Sequence, residues 1–215
     1  METYTPEKLF AGSVMPKVAD VVTILAGQKL VRGSALGLVK KAVGTIAAPE
    51  ANTGDATIAT AALAAHAQVG VYTITCINAP SAASANDAVF SVKTPAGLSL
   101  ANATQNVEYT GGHLIFKISA ATDTDSKVGD VYTIPVVAGS EKAKLVDKTA
   151  VDGSENIYAI LAEDVDATDG AKPAPIYITG EFNQSAIILA DDTTVADVKT
   201  AARALGIFLK STVSA

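Results

Sequence analysis

Short runs of β-branched and aromatic residues, separated by turn-forming residues, recur along most of the chain. The run at residues 21–25 is bounded by Gly27, and turn clusters at 78–81, 94–97, 111–112 and 128–130 lie between the runs at 69–77, 89–93, 114–118 and 131–137. Runs of this length and composition are typical of strands, and the residues between them are typical of tight turns. The pattern therefore predicts a mostly β fold built from short strands.

One helix is predicted near the carboxyl terminus. Either Thr193 or Thr194 can cap its first turn, and Gly206 is well placed to end it. The apolar residues 207–209 that follow should pack against a sheet. The apolar stripe with helical spacing comprises Val195, Val198, Ala201, Ala202 and Leu205.

A motif that occurs twice in the sequence suggests how the chain is divided into domains. The motif VYTI at residues 71–74 recurs at 131–134, and two such strands would pair easily if they were adjacent. Their pairing would bring the ends of the segment between them together, which insertion into a host domain requires. We therefore predict an inserted all-β domain at residues 67–138, an immunoglobulin-like sandwich or barrel, within a host domain at 21–66 and 139–215.

The sequence does not decide two points about this division into domains. Residues 46–68 are rich in alanine and threonine, and they could form a linker with a short helix at 59–67. The alternative to an inserted domain is one continuous β fold that contains a weak repeat.

The first twenty residues are predicted to form an arm. Pro6, Gly12 and Pro16 interrupt them, and neither a helical nor a strand period is sustained. Such a segment is not expected to pack on itself, but it offers apolar anchors to a partner. These anchors are Tyr4, Leu9, Phe10, Val14 and Met15.

Charge and composition narrow the classes of partner and of site. With 16 Lys and Arg against 22 Asp and Glu, the net charge is −6, which argues against nucleic acid as a partner. A hydrophobic content of 49% with only 18% charged residues indicates a folded chain. One cysteine and two histidines leave no basis for a disulfide framework, a cysteine zinc site or a histidine cluster.

No stretch of the sequence has the character of a targeting signal or of a membrane span. The amino terminus is acidic and no apolar signal region follows it. The longest uncharged run, residues 56–86, is mostly alanine with polar residues throughout. We therefore expect a soluble protein that is made in the cytoplasm, is not secreted and has no membrane partner.

Motifs for catalysis or cofactor binding are not convincing anywhere in the chain. Residues 33–37 resemble a G-x-S-x-G nucleophile elbow only loosely, and no glycine cluster continues as a phosphate loop. The acidic stretches at 123–130 and 164–169 do not follow the ligand spacing of a calcium loop. The sequence thus predicts no enzymatic activity, no metal and no cofactor.

Two separated segments resemble the lambda-type head decoration proteins of tailed bacteriophages. The first is LAGQKLVRGSALG at residues 25–37, and the second runs from DGS at 152–154 through YAILAEDVDA at 158–167 to IYITGEFN at 176–183. The positions that carry the resemblance are Gly27, Arg32, Gly33, Gly37, Asp152, Gly153, Gly180, Glu181 and Phe182.

The resemblance implies a fold, an assembly and a location. The host domain would be mostly β and β-clip-like, with one C-terminal helix. The protein would form a homotrimer at three-fold or quasi-three-fold positions of the expanded major capsid protein lattice. There, on the virion surface, it would stabilise the head against internal DNA pressure without any enzymatic activity.

The resemblance also gives the predicted arm a role. In that family the arm becomes ordered on the capsid and pairs with the major capsid protein. The residues of this chain that would then bind the capsid are Thr3, Tyr4, Leu9, Phe10, Val14 and Met15.

The predicted insert would project outward, where it could add bulk and stability or attach weakly to host surfaces or glycans. Two alternatives exist for the whole protein. One is a bacterial adhesion or surface-binding module with two β domains, and the other is a hydrolase with an unrecognised site. The absence of a signal peptide and of a nucleophile–base pattern, respectively, counts against them.

Overall fold

The computed structural model describes residues 8–82, 85–120 and 126–212. Within these ranges most of the regular secondary structure is strand, with one α-helix, so the predicted mostly β class is confirmed. The chain divides into two compact units. Unit 1 comprises the residues up to Lys40 and those from Gly139 onward, and unit 2 comprises Lys41–Ala138.

The strands are numbered in chain order. They are β1 (Val18–Ile24), β2 (Gln28–Leu30), β3 (Ala35–Leu38), β4 (Lys41–Val43), β5 (Ala61–Leu63), β6 (Gly70–Asn78), β7 (Val89–Lys93), β8 (Ala103–Thr104), β9 (Glu108–Thr110), β10 (Leu114–Lys117), β11 (Val131–Ala138), β12 (Ala143–Leu145), β13 (Ile157–Leu161), β14 (Val165–Ala167), β15 (Lys172–Asn183) and β16 (Ile207–Lys210). The helix α1 comprises Val195–Ala204, and a 3₁₀ turn comprises Gln184–Ala186.

Unit 1 is organised around one six-stranded sheet in the order β1-β12-β3-β13-β15-β16. Because β1 also pairs with β15, five of these strands close into a ring, and β16 joins β15 in parallel. A separate two-stranded ribbon is formed by β2 and β14. The core of unit 1 consists of two apolar clusters, whose larger members include Leu9, Ile24, Leu36, Ile160, Leu161, Ile176, Phe182 and Ile207.

The predicted C-terminal helix is confirmed as α1. Thr194 precedes it, and the Asp197 carboxylate accepts both the N–H and the hydroxyl of Thr194 at 2.7 Å. Gly206 follows with a φ of +82°, the left-handed conformation that favours glycine at this position. The buried face is narrower than the predicted stripe, because only Val198 and Ala202 are fully buried. The following residues form β16, as expected from their apolar character.

Unit 2 is built from two sheets that share one core. A five-stranded sheet has the order β4-β11-β6-β7-β8, and a three-stranded sheet has the order β5-β10-β9. The inward side chains alternate along each strand, as Tyr72, Ile74 and Cys76 do on β6. The predicted pairing of the two VYTI segments is confirmed, since β6 and β11 are antiparallel with Ile74 opposite Tyr132.

The boundaries of unit 2 differ from those that the sequence suggested. The unit begins at Lys41 rather than at residue 67, because β4 pairs with β11 and places Ala42 opposite Val137. The stretch taken for a linker also contributes Ile58 to the core. The short helix considered there is wrong, since β5 lies there and pairs with β10. Because this stretch consists largely of alanine and threonine, it does not show the alternation of apolar and polar positions that marks a strand.

The predicted arm is also divided differently. Residues 18–20 belong to β1, and residues 8–17, which we call the leading segment, lie against unit 1. Thr3 and Tyr4 fall outside the described residues. The expectation that the arm would not pack on its own chain is therefore wrong for the leading segment, because Leu9 lies in the core of unit 1 and Phe10 packs against that core.

Candidate functional site

The leading segment adds to the end of β15 in the manner of a short strand. The Asn183 N–H donates to the Leu9 carbonyl at 2.8 Å, and the Ala11 N–H donates to the Glu181 carbonyl at 3.0 Å. On the opposite edge of β15, the Gly180 N–H donates to the carbonyl of Gly206, just before β16. The end of β15 is therefore held between β16 and the leading segment.

Two of the predicted capsid-binding residues, Leu9 and Phe10, pack inside unit 1. Leu9 is 3% exposed, and the Phe10 ring lies 5.3 Å from the Tyr177 ring and 5.6 Å from the Phe182 ring, centroid to centroid. The Lys17 ammonium lies 4.0 Å from the Phe10 ring centroid, a cation–π contact. Leu9 and Phe10 thus anchor the leading segment to its own unit.

The side chain of Glu181 connects the leading segment to β16. It is 5% exposed, its Oε2 accepts the Val14 N–H at 3.2 Å, and its Oε1 forms an ion pair with Lys210. The hydrogen bond from Lys210 lowers the pKa of this carboxyl, and the backbone N–H of Val14 lowers it further. A Cβ atom at Gly12 would lie 1.9 Å from Glu181 Oε2, so the carboxylate fills the place of a side chain there.

An open hollow lies where the leading segment meets β16. It has a volume of about 270 Å³ and is mainly apolar. Val14 stands beside it with 89% of its surface exposed, whereas Met15 is half-buried. The residues that line the hollow are Val14, Met15, Glu181, Phe208 and Lys210.

The first motif segment is joined to the second by hydrogen bonds from its backbone N–H groups. The Gly27 N–H donates to the Ala167 carbonyl at 2.9 Å, and the Arg32 N–H donates to Asp164 Oδ1 at 2.8 Å. Gly33 has a φ of +92°, and a Cβ there would lie 2.7 Å from the Ala186 carbonyl oxygen. The motif residues Gly27, Arg32 and Gly33 therefore allow the first motif segment to lie close to the backbone of neighbouring segments.

A second group of motif residues surrounds the turn before β13. Asp152 Oδ1 accepts the N–H and the hydroxyl of Ser154 at 3.0 and 2.6 Å, and Oδ2 pairs with Lys144 at 2.9 Å. Burial raises the pKa of Asp152, but the hydrogen bonds from Ser154 and Lys144 lower it by more. Gly153 adopts a φ of +108°, and a Cβ at Gly37 would lie 2.2 Å from the Ser154 carbonyl oxygen. These contacts give the second group a structural role in unit 1.

The structure thus brings the motif residues together in three places, and the leading segment joins one of them through Glu181 and Phe182. Sequence reasoning missed the part played by Gly12 and Lys210, because their contacts are remote in sequence and leave no local pattern. In the described ranges, no group of three or more His, Cys, Asp or Glu is placed to hold a metal ion. Nor does the described chain contain a helix of the length and apolar character needed to cross a membrane.

Comparisons with known proteins place these observations in a family. The family described as Bacteriophage lambda head decoration protein D matches residues 2–207. Among curated proteins, no significant match is found.

Three of the solved structures that match are flagellar proteins, and their likeness is weak. FlgL of Xanthomonas campestris in two crystal forms gives TM-scores of 0.33 and 0.32 at 16% identity, over 54% of this chain and 34% and 33% of those chains. The flagellar junction protein FlgL from Legionella pneumophila gives 0.32 at 18% identity, over 50% of this chain and 37% of that one. The chain spans about a third of the length of these structures, and TM-scores this low support no conclusion about fold or function.

Proposed function

The chain belongs to the family of phage lambda head decoration protein D and is therefore a capsid decoration protein, and on this premise we propose how it attaches. It binds the expanded lattice of the major capsid protein as a homotrimer and stabilises the head against the pressure of packaged DNA. The observation that carries this proposal is the family match over residues 2–207, which takes in both motif segments and the leading segment.

The proposed attachment uses the amino-terminal part of the chain as an added strand. An extended segment can pair with an exposed sheet edge, so that backbone bonds give affinity and side chains give register. In support, the leading segment already pairs in this way with β15. We assign capsid contact to Thr3, Tyr4, Val14 and Met15. Leu9 and Phe10 serve as anchors to unit 1 instead, because they are packed in its core or against its aromatic rings.

Three attachment segments on one trimer would compensate for weak single contacts. Ordering a segment on binding opposes affinity, so one segment alone binds weakly. Linking three raises the effective concentration, with a gain in avidity of roughly 10²–10⁴. Selective binding to the expanded lattice stabilises that state by about 2.7 kcal/mol per site at a hundredfold excess over Kd.

For unit 2 we propose the simpler role of added bulk and stability. In support, it has a core of its own within Lys41–Ala138 and needs no residue of unit 1 to complete its two sheets. Attachment of unit 2 to a host surface or glycan stays a prediction from the sequence.

Cosedimentation with heads of the phage that encodes the chain tests the proposed function. We expect the protein to pellet with expanded heads and not with unexpanded ones, and to raise the temperature at which expanded heads release DNA. Sizing should give a trimer, either free or only on the heads. Equal binding to both head forms, or the absence of binding to either, would contradict the proposal.

Removal of residues 1–7 tests the strand-addition step separately. This deletion takes away Thr3 and Tyr4 but leaves the buried Leu9 in place, so unit 1 should stay folded. We expect affinity for expanded heads to fall at least about tenfold. An unchanged affinity would exclude the residues before Lys8 as a capsid contact.

A further inference from the structure

One buried carboxylate links three parts of unit 1, namely the leading segment, β15 and β16. Glu181 lies on β15, accepts the Val14 N–H from the leading segment and pairs with Lys210 of β16. We infer that Glu181 is a positioning residue for capsid attachment, which keeps residues 12–15 ordered on the folded unit before any partner binds. This inference rests on the proposed function, because it concerns the same attachment segment.

Steric contact at Gly12 supports this role. A side chain at that position would meet Glu181 Oε2 at 1.9 Å and the carboxyl carbon at 2.9 Å. The backbone of the leading segment therefore lies directly against the carboxylate, and a larger residue at position 12 would displace the carboxylate from this place. Glycine there permits an approach that residues 8–17 need in order to cover Glu181.

The charge of Glu181 favours the docked state of the leading segment. An ionised carboxylate that is 5% exposed is unfavourable unless hydrogen bonds and an opposite charge compensate it. Lys210 of β16 supplies the charge, and the leading segment supplies backbone N–H groups at Val14 and Met15. The nearby cation of the segment, Lys17, is placed over the Phe10 ring. Detachment of the segment would take N–H donors away from a charge that needs them, so the docked state is favoured.

The ordered leading segment presents apolar surface to a binding partner. Val14 is the most exposed of the large apolar side chains described, at 89%, and it stands beside the hollow that Met15 and Phe208 line. A fixed backbone at Val14 presents an apolar projection and an apolar recess together. Because residues 12–15 are already ordered, binding loses less conformational entropy than it would with a free arm.

Acidic pH should weaken the docking of residues 12–15, and the sign follows from the pKa of Glu181. Lys210 lowers that pKa most, and the N–H groups of Val14 and Met15 lower it further. Because detachment removes only these N–H groups, it is their contribution that favours the docked state, fully so above the ordinary glutamate value of about 4.3. The contribution is lost as pH falls below that value and the carboxylate takes up a proton. The charged group that faces the Glu181 carboxylate is Lys210 of β16.

Hydrogen exchange of the free full-length protein tests the inference without any capsid. Glu181→Gln keeps the size of the side chain and removes its charge, and we expect amides 12–15 to exchange about tenfold faster than in the wild type. Glu141→Gln is the matched control, because Glu141 also pairs with a lysine, Lys40, but lies away from the leading segment. It should leave exchange of amides 12–15 unchanged.

The pH profile of this exchange separates a positioning role from a general loss of stability. After correction for intrinsic rates, wild-type protection at residues 12–15 should fall below about pH 4.3, whereas the Glu181→Gln profile should be flat. Amides of β13 should stay protected in both proteins, which shows that unit 1 remains folded. Equal protection of residues 12–15 in wild type and Glu181→Gln would overturn the inference.

Binding to expanded heads then links the ordered segment to function. We expect Glu181→Gln and Val14→Ser each to bind about tenfold more weakly than the wild type, and Val128→Ser, an exposed valine of unit 2, to bind normally. Normal binding of Glu181→Gln would overturn the role in attachment. Failure of the wild type to bind would instead contradict the proposed function, while the exchange result would still report on the ordering of the segment.

Discussion

The hydroxyl groups of three buried tyrosines in unit 2 have different surroundings. The Tyr72 hydroxyl accepts the Gln68 N–H at 2.9 Å and lies 3.0 Å from His113 Nδ1. Among the described residues, the hydroxyls of Tyr109 and Tyr132 are buried with no hydrogen-bond partner. Burial, with a further contribution from Asp130, raises the pKa of Tyr132 to about 12, so its hydroxyl is neutral at ordinary pH. Removing such a hydroxyl should not weaken the fold.

We predict opposite effects for two Tyr→Phe substitutions. Tyr132→Phe should leave the free energy of unfolding unchanged or raise it by about 1 kcal/mol, because a buried unpaired hydroxyl is unfavourable. Tyr72→Phe should lower it by about 1–2 kcal/mol, because two polar atoms lose their partner. Denaturant unfolding measures both. A larger loss for Tyr132→Phe than for Tyr72→Phe would contradict this reading of the core.

Gly37 on β3 provides a second prediction at the scale of a residue. A Cβ there would lie 2.2 Å from the backbone oxygen of Ser154, which cannot move aside as a flexible side chain could. We expect Gly37→Ala to lower the stability of unit 1 by about 1–3 kcal/mol. Gly170→Ala is the matched control in the same unit, because a Cβ at Gly170 meets no atom within 4 Å. Calorimetry on both variants should show a lower melting temperature only for Gly37→Ala.

At the scale of elements, β1 has one edge that is largely free. Pro175 of β15 lies opposite Val21 of β1, but the Pro175 carbonyl accepts the Ala162 N–H at 3.0 Å on the other side of β15, so the Val21 N–H points away from β15, toward the free edge of β1. The Val21 N–H instead donates to Asp20 Oδ1 at 2.8 Å. On its other side β1 pairs with β12 only at Ile24. The free edge of β1 is therefore protected by the aspartate side chain, a common defence against edge-to-edge aggregation.

We predict that Asp20→Val makes the protein prone to aggregation. The substitution removes the charge and the local hydrogen bond from an edge that already exposes Val18 and Val21. Light scattering at neutral pH should show aggregation several-fold faster than in the wild type. Asp191→Val, which removes the same charge from an exposed loop, is the control and should not aggregate. Similar rates for the two variants would mean that the edge is not the cause.

Elements with local signals were predictable from the sequence, and elements defined by distant contacts were not. Helix α1 had a cap, an apolar spacing and a terminal glycine, all within residues 193–206. The pairing of β6 with β11 followed from their shared motif. By contrast, β5 is made of Ala61, Ala62 and Leu63, whose composition carries no strand period. In the candidate site, the motif marked Glu181, but its partners Gly12 and Lys210 could be found only from the fold.

At the scale of the whole molecule, the chain leaves unit 1 and returns to it at neighbouring points. The Gly139 N–H donates to the Lys40 carbonyl at 2.8 Å, and the Glu141 N–H donates to the Val39 carbonyl at 3.0 Å. In unit 2, Lys41 at the start of β4 pairs with Ala138 at the end of β11. Each unit therefore has its own ends together, so each can complete its sheets without a long connection.

Because the two ends of the chain at this junction lie close together, unit 2 can be replaced by a short turn. A hydrogen bond from Gly139 N–H to Lys40 O is the bond that closes a β-turn when two residues lie between donor and acceptor. Replacing Lys41–Ala138 by Asn-Gly should therefore form a two-residue hairpin turn and leave unit 1 folded. Because the leading segment, β15 and β16 all belong to unit 1, the shortened protein should bind expanded heads with an affinity within about threefold of the wild type. Cosedimentation measures this, and circular dichroism shows whether unit 1 is folded. A folded variant that no longer binds would place the capsid contact in unit 2, whereas normal binding confines attachment to unit 1.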